Sequence, residues 1–212
     1  MQVVNNRSRG DTLIEALFAI TVFSLIAVSS ISIMNQGSAT EQRALEISLV
    51  RQQIDGQAET LRFLNSSYVS AYRLGMTNVN MYEENTPASQ WFKIKSYLKT
   101  SDGLSDFDDT AKCPKKNSAS LSKSFVLNTK TAAIVANKFE DPQTYPQVRY
   151  TGNEVYSSEG LWIEAINPVV NTSNHQSNAS YIDFYISTCW DSPGQSVPIK
   201  LRTLVRLYEP RG

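Results

Sequence analysis

The chain has 212 residues and a formal net charge of zero, because 20 basic side chains balance 20 acidic ones. This length suits one ordinary domain with an anchor. The even charge balance argues against a nucleic-acid-binding protein, which would carry a basic excess or stripe. The 10 Tyr, 3 Trp and 8 Phe residues indicate a folded domain, not a disordered tail.

An apolar segment follows the first residues of the chain. Residues 13–34 contain one ionisable side chain, Glu15. As an α-helix the segment would be about 33 Å long, which is enough to cross a hydrocarbon core of about 30 Å. A charged side chain near the middle of such a span costs about 2.5–3.5 kcal/mol, and less near an end. The position of Glu15 therefore calls for a functional explanation.

The residues ahead of this segment set its expected orientation. Arg7 and Arg9 are the only charged side chains among residues 1–10. Basic residues beside a membrane span favour the cytoplasmic side. We therefore expect a single-pass membrane protein with its N-terminus inside and its C-terminal bulk outside the cytoplasm.

Two ordinary interpretations of this N-terminus compete. A cleaved secretory signal would have an apolar core of about 7–15 residues and a small-residue cleavage site; residues 27–29 could serve as that site, but the apolar run is longer. A plain signal anchor held by Arg7 and Arg9 explains the span. Neither interpretation explains Gly10 together with Glu15.

The motif Gly-Asp-Thr-Leu-Ile-Glu at residues 10–15, with the basic leader before it and the apolar run after it, resembles the class III signal sequence of type IV prepilins and type II secretion pseudopilins. The resemblance implies cleavage after Gly10 by a prepilin peptidase, which makes Asp11 the new N-terminus. It also implies that Glu15, the fifth mature residue, helps the subunit to join a helical filament. The family usually has Phe or another apolar residue where this chain has Asp11. Cleavage is still expected, whereas methylation of the new amine is left open.

A helical pattern continues beyond the apolar segment. Apolar residues recur there at spacings of three and four, which is typical of one face of a helix. These residues are Ile47, Val50, Ile54, Ala58 and Leu61. We predict a helix from about Asp11 to about Leu64, ended by the polar residues 65–67.

A second, shorter helix is predicted from Thr86, as its cap, and Pro87, at its first position, to about Lys99. An acidic loop follows, with aspartates at positions 102, 106, 108 and 109. It lacks the spacing, central Gly and final Glu of an EF-hand calcium loop. We interpret it as a solvated loop and expect no metal site.

The C-terminal half reads as strands. The predicted strands cover residues 124–127, 161–166, 181–190 and 199–208, and in the last one buried and exposed positions alternate. Turn residues at 191–194 join the last two strands, which indicates an antiparallel meander. A polar loop rich in Asn and Ser occupies residues 167–180.

Cys113 and Cys189 are the two cysteines of the chain. Because the domain that holds them is expected outside the cytoplasm, we predict a disulfide between them. A redox pair is the alternative, but the chain lacks the CxxC spacing of such a pair.

The sequence offers little chemistry for catalysis. His175 is the single histidine, it lies in the polar loop, and a structural zinc site normally needs four ligands. The chain has no nucleophile-elbow motif and no phosphate-binding glycine loop. We therefore expect a protein that is not an enzyme and that has no cofactor.

These observations and the resemblance predict an α+β fold of the type IV pilin kind, in which a long N-terminal helix packs on a C-terminal antiparallel β-sheet head. The expected segments are a cleaved leader at 1–10, the helix at 11–64 with its span at 13–34, and the head at 65–212. The resemblance implies a structural filament subunit, closest to a minor pilin or pseudopilin of the V/W/J kind, of a type IV pilus or a type II secretion-like filament. Its expected partners are the prepilin peptidase, the membrane and other pilin subunits, and its final location is the pilus or cell surface. A tip-displayed adhesin and a plain single-pass protein with an unrelated ectodomain are the alternatives.

Overall fold

The structure is a computed structural model that describes residues 11–76, 82–99, 112–167 and 181–210. The leader with Gly10, the acidic loop at 102–109 and the polar loop from residue 168 to 180 with His175 lie outside the described residues. The side chain of Asp11 is likewise outside them.

The chain divides into two compact units, Met1–Leu45 and Glu46–Gly212. A single long helix, α1, runs from Asp11 to Arg73 and contributes to both units. The second unit therefore begins inside α1, at Glu46. The reason is that the second part of α1 supplies one side of the hydrophobic core of the head.

The predicted end of α1 at Leu64 was wrong, because the helix continues for another nine residues to Arg73. The polar residues at 65–67 do not stop it: the hydroxyls of Ser66 and Ser67 both donate to the carbonyl of Phe63 within the helix. The last turns of α1 also contact the core of the head. Tyr68 is buried in the core of the head, and Tyr72 packs beside it.

Helix α2 covers Pro87–Lys95 and begins as predicted, since the side chain of Thr86 accepts a hydrogen bond from the backbone of Ser89. It ends four residues earlier than the predicted Lys99. Leu98 and Lys99 form a short strand, β1, which pairs in parallel with a central strand of the sheet. Because these two residues pair with the sheet, the helix does not continue through them.

The main sheet has the strand order β3-β2-β7-β8-β9, and β1 joins it alongside β7. The C-terminal meander β7-β8-β9 is antiparallel, and its three strands have the predicted bounds. The head is thus α+β with a mainly antiparallel sheet, and the parallel pairing of β1 departs from the expected pattern. The strands of this sheet are β1 Leu98–Lys99, β2 Phe125–Asn128, β3 Ala133–Ala136, β7 Leu161–Ile166, β8 Tyr181–Trp190 and β9 Ile199–Tyr208.

A second, three-stranded sheet was not predicted. It has the order β4-β6-β5 and includes a hairpin whose two-residue loop is Gly152-Asn153, with a φ of 63° at the glycine. A Gly-Asn pair is a common signal for a hairpin loop. The two flanking strands are mostly polar, however, and do not show the alternation of apolar and polar residues that predicts a strand. The strands are β4 Phe139–Glu140, β5 Gln147–Thr151 and β6 Glu154–Glu159.

The core of the head lies between α1 and one face of the main sheet. Ile163, Phe184 and Ile186 of the sheet are fully buried there, together with Trp91 and Ile94 of α2. The residues of α1 in this core are Val50, Ile54, Ala58, Leu61, Leu64 and Tyr68. Four of the five residues of the predicted apolar stripe are therefore buried, and Ile47 packs against the edge of the core.

Candidate assembly site

The first part of α1 is an apolar surface without an internal partner. The large apolar side chains between Leu13 and Met34 are exposed, with Phe23 at 72% and Met34 at 73%. The helix is long and apolar enough to cross a membrane by its length and composition. Soluble proteins rarely expose a continuous apolar surface of this kind unless it binds a membrane or another protein.

Four hydroxyls in this segment donate hydrogen bonds to the backbone of their own helix. Thr21 donates to the carbonyls of Leu17 and Phe18, and three serines donate to the carbonyl four residues before them, at distances of 2.7–2.8 Å. These serines are Ser24, Ser29 and Ser30. Polar groups satisfied within the helix are compatible with lipid or with an apolar protein environment.

Glu15 differs from these hydroxyls. It is exposed, and within the described residues no hydrogen bond or ion pair involves its carboxylate. In an apolar environment a carboxylate without a partner is costly, whereas an opposite charge within reach makes its ionised form tolerable. The arrangement leaves Glu15 ready for a partner supplied from outside this helix.

The expected cleavage site lies at the edge of the described residues. Gly10 lies outside the described residues, and Asp11 is the first described residue of α1, without its side chain.

In the head unit, Glu46 connects α1 to the end of β8. Its carboxylate Oε2 accepts hydrogen bonds from Trp190 Nε1 at 3.1 Å and from Ser192 Oγ at 2.8 Å. Trp190 is fully buried, and Glu46 is 7% exposed. A buried carboxylate that accepts several hydrogen bonds fixes the position of the donors around it. Glu46 lies four positions before Val50 of the predicted stripe, but its partners Trp190 and Ser192 are too far along the chain to be identified from the sequence.

Gln57 makes a second polar connection from α1, in this case to β2. Its Nε2 donates to the carbonyl of Leu127 at 2.8 Å, and its Oε1 accepts from the backbone N–H of Leu127 at 2.7 Å. Both residues are buried. The side chain thereby satisfies a peptide group that would otherwise be unpaired in the core. Its spacing from Ile54 and Leu61 places Gln57 on the predicted buried face of the helix, but the sequence does not identify Leu127 as its partner.

The disulfide expected between Cys113 and Cys189 is present in the structure. Cys189 is fully buried near the end of β8, and its sulfur packs in a small apolar cluster with Leu121, Phe139 and Trp162. The bond attaches the segment before the 3-10 turn Ala119–Leu121 to the central meander. It acts as a covalent staple between parts of the chain that are 76 positions apart.

Buried carboxylates on β7 and β8 form ion pairs with basic residues. Glu164, fully buried on β7, pairs with Lys99 Nζ at 2.8 Å and accepts a hydrogen bond from Trp162 Nε1 at 3.2 Å. Arg206 on β9 holds Asp183 of β8 through two hydrogen bonds of 2.7 Å, which raise the pKa of the guanidinium. Among the described residues, no group of three or more His, Cys, Asp or Glu side chains could hold a metal ion.

Comparison of the chain with models of protein families, with curated proteins and with solved structures finds no match in any of the three. A function has to be inferred from the residues and geometry of this chain.

Proposed function

We propose that the chain is a structural subunit, a minor pilin or pseudopilin, of a type IV pilus or a type II secretion-like filament. In this proposal a prepilin peptidase cuts between Gly10 and Asp11 on the cytoplasmic side. The mature subunit waits in the membrane with its head outside and then joins the filament through the first part of α1.

One observation carries the proposal. The exposed apolar segment of α1, residues 13–34, contains a single carboxylate, Glu15, and no hydrogen bond or ion pair of that carboxylate is found among the described residues. The same helix then becomes the central core helix of the head. A removable secretory signal would not be continuous with the core of the domain that it exports, so this continuity favours a retained helix.

An ionised Glu15 is costly in lipid but can pair with an opposite charge in an assembled filament. Cleavage would create a positive amine at Asp11, one helical turn from Glu15. In a filament whose apolar helices pack together, the amine of one subunit can pair with the Glu15 carboxylate of its neighbour. Such a pair neutralises both charges, although the carboxylate of Asp11 lies beside the same amine and competes for it.

Processing provides the direct test. In cells that contain a prepilin peptidase, N-terminal sequencing of the membrane-bound protein is expected to start at Asp11. Gly10→Val is expected to block cleavage, because it adds bulk at the cut. Gly37→Val is the matched control, since a side chain at that position meets nothing within 4 Å, and it should be cleaved like the wild type.

Three outcomes would contradict the proposal. An N-terminus near Ser30 would identify an ordinary secretory signal, and an uncut chain in the presence of an active prepilin peptidase would identify a plain membrane anchor. Normal cleavage of Gly10→Val at the same position would likewise remove the basis for a class III signal.

A further inference from the structure

One cavity of the head is lined in part by a basic stretch of the chain. Residues 112–138 contain six lysines and no aspartate or glutamate, in a chain whose overall charge is zero. The lysines are Lys112, Lys115, Lys116, Lys123, Lys130 and Lys138. Two of them, Lys116 and Lys138, line a cavity of about 350 Å³. This volume lies within the range of about 300–1,000 Å³ that is usual for small-molecule sites.

The floor of the cavity is apolar and well packed. It includes Leu121, Phe139, Leu161 and Trp162, which are all at most 9% exposed. The rings of Phe139 and Trp162 meet edge to face, with their centroids 5.7 Å apart. The Cys113–Cys189 disulfide packs against the same cluster. A floor held in this way is formed before a ligand arrives, which lowers the entropic cost of binding.

The mouth of the cavity is polar and carries positive charge. Asn117, Ser122 and Asn137 line it together with the two lysines, and no carboxylate is among its lining residues. The Lys116 ammonium pairs with Glu140. Lys138 is exposed, and no ion pair of its side chain is found among the described residues. The positive charge of Lys138 is therefore available to a ligand.

We propose that this cavity binds a small organic anion with a flat apolar body, such as an aryl carboxylate or an aryl phosphate. The apolar body would lie on the floor formed by Phe139 and Trp162, while the anionic group would accept hydrogen bonds from Lys138 at the mouth. A lining without carboxylates disfavours the corresponding cation. The site lies entirely in the head and is independent of the filament proposal.

The test is a titration of the full-length chain in detergent micelles, followed by backbone amide resonances. The probes share one ring and differ in charge: benzoate and phenyl phosphate are anions, benzyl alcohol is neutral and benzylamine is a cation. Benzoate and phenyl phosphate are expected to shift the resonances of Lys138 and Leu161. They should bind about tenfold more tightly than benzyl alcohol, as one charge-assisted hydrogen bond allows. Benzylamine and inorganic phosphate should bind more weakly than benzoate.

Three variants locate the site. Lys138→Gln should reduce the affinity for benzoate to that for benzyl alcohol. Lys130→Gln is the control, because its ammonium bonds the carbonyl of Gly152 and does not line the cavity; it should bind benzoate like the wild type. Ser122→Trp should fill the mouth and abolish binding of all the ring probes while leaving the other resonances of the head in place.

Equal affinity for benzoate, benzyl alcohol and benzylamine would overturn the assignment of an anion site. Binding that survives Ser122→Trp, or shifts confined to residues away from the cavity, would overturn the location. Phosphate that binds as tightly as phenyl phosphate would show that the apolar floor contributes nothing.

Discussion

Gln57 on α1 and Leu127 on β2 are joined by two hydrogen bonds, of 2.8 and 2.7 Å, between a side-chain amide and a backbone peptide group. The side chain of Gln57 makes the two hydrogen bonds to Leu127 that the backbone of a neighbouring strand would otherwise make. It gives the helix a fixed register on the sheet, which apolar packing alone specifies less sharply.

The first prediction concerns this connection. Gln57→Leu should destabilise the head by about 2–4 kcal/mol, because it leaves a buried N–H and a buried carbonyl unpaired. Gln52→Leu makes the same chemical change at an exposed position of the same helix and should alter stability by less than about 0.5 kcal/mol. Urea unfolding followed by tryptophan fluorescence measures the difference, since all three tryptophans are buried in the head. Equal midpoints for the two variants would contradict the role assigned to Gln57.

The second prediction concerns Gly160, which lies between β6 of the small sheet and β7 of the main sheet. Its φ is 59°, and a Cβ built on it would come within 2.6 Å of the carbonyl oxygen of Cys189. Gly160→Ala should therefore combine a left-handed backbone cost of about 1 kcal/mol with an overlap cost of about 1–3 kcal/mol.

Gly152→Ala separates these two costs. Gly152 also has a positive φ, of 63°, but a Cβ there meets nothing within 4 Å. The same unfolding measurement should show the backbone cost alone for Gly152→Ala and a distinctly larger loss for Gly160→Ala. Similar losses for both would mean that the backbone at Gly160 moves away from Cys189 without cost.

The third prediction concerns the Cys113–Cys189 disulfide. Replacing both cysteines with alanine should lower the stability of the head by up to about 4 kcal/mol, because a bond that closes a loop of this size restricts the unfolded chain. Mass spectrometry of the non-reduced protein should find the two cysteine peptides linked. Two free thiols in protein purified under oxidising conditions would contradict the structure.

The fourth prediction concerns pH. Burial, followed by the nearby Glu209 carboxylate and Tyr72, raises the pKa of Tyr68 above the ordinary value of 10.0. The folded head thus keeps this phenol protonated at pH values where the unfolded chain has lost the proton. The corresponding stability is complete below about pH 10 and is lost as the pH rises above it. Above about pH 10, the free energy of unfolding should fall less steeply with pH for Tyr68→Phe than for the wild type. Identical slopes for the two proteins would contradict the raised pKa of Tyr68.

Much of the fold follows from sequence periodicity. The stripe from Ile47 to Leu61 identifies the helix face that packs in the head, and the strands at 161–166, 181–190 and 199–208 have their observed bounds. The helix stripe, β7 and β8 bury many apolar side chains, so their patterns are strong. In β9 only Val205 is buried, and the strand was identified by the alternation of its residues. The end of α1 was misplaced because Tyr68 and Tyr72 anchor its last turns through contacts with residues distant in sequence.

The polar connections could not be predicted in the same way. Glu46 lies four positions before Val50, and Gln57 lies three positions after Ile54, so both fall on the helix face that packs in the head. The sequence does not identify their partners, Trp190 and Leu127. The β5–β6 hairpin had a detectable turn at Gly152-Asn153, but its strands are too polar to give a clear alternation. Contacts between residues far apart in the chain carry information that local patterns do not contain.

The fifth prediction concerns Glu15. We expect Glu15→Leu to leave membrane insertion and cleavage intact and to lower incorporation into filaments, because it leaves the amine of the neighbouring subunit without its partner, at a cost of roughly 3–5 kcal/mol when burial is complete. Thr21→Leu is the matched control, since its hydroxyl is already satisfied within the helix. It should assemble like the wild type.

The most direct measurement compares the wild type, Glu15→Leu and Thr21→Leu in sheared filament fractions at equal membrane levels. We expect Glu15→Leu alone to be depleted from the filaments while it accumulates, correctly cleaved, in the membrane. Equal incorporation of all three proteins would mean that Glu15 only reaches towards the lipid headgroups and has no role in assembly.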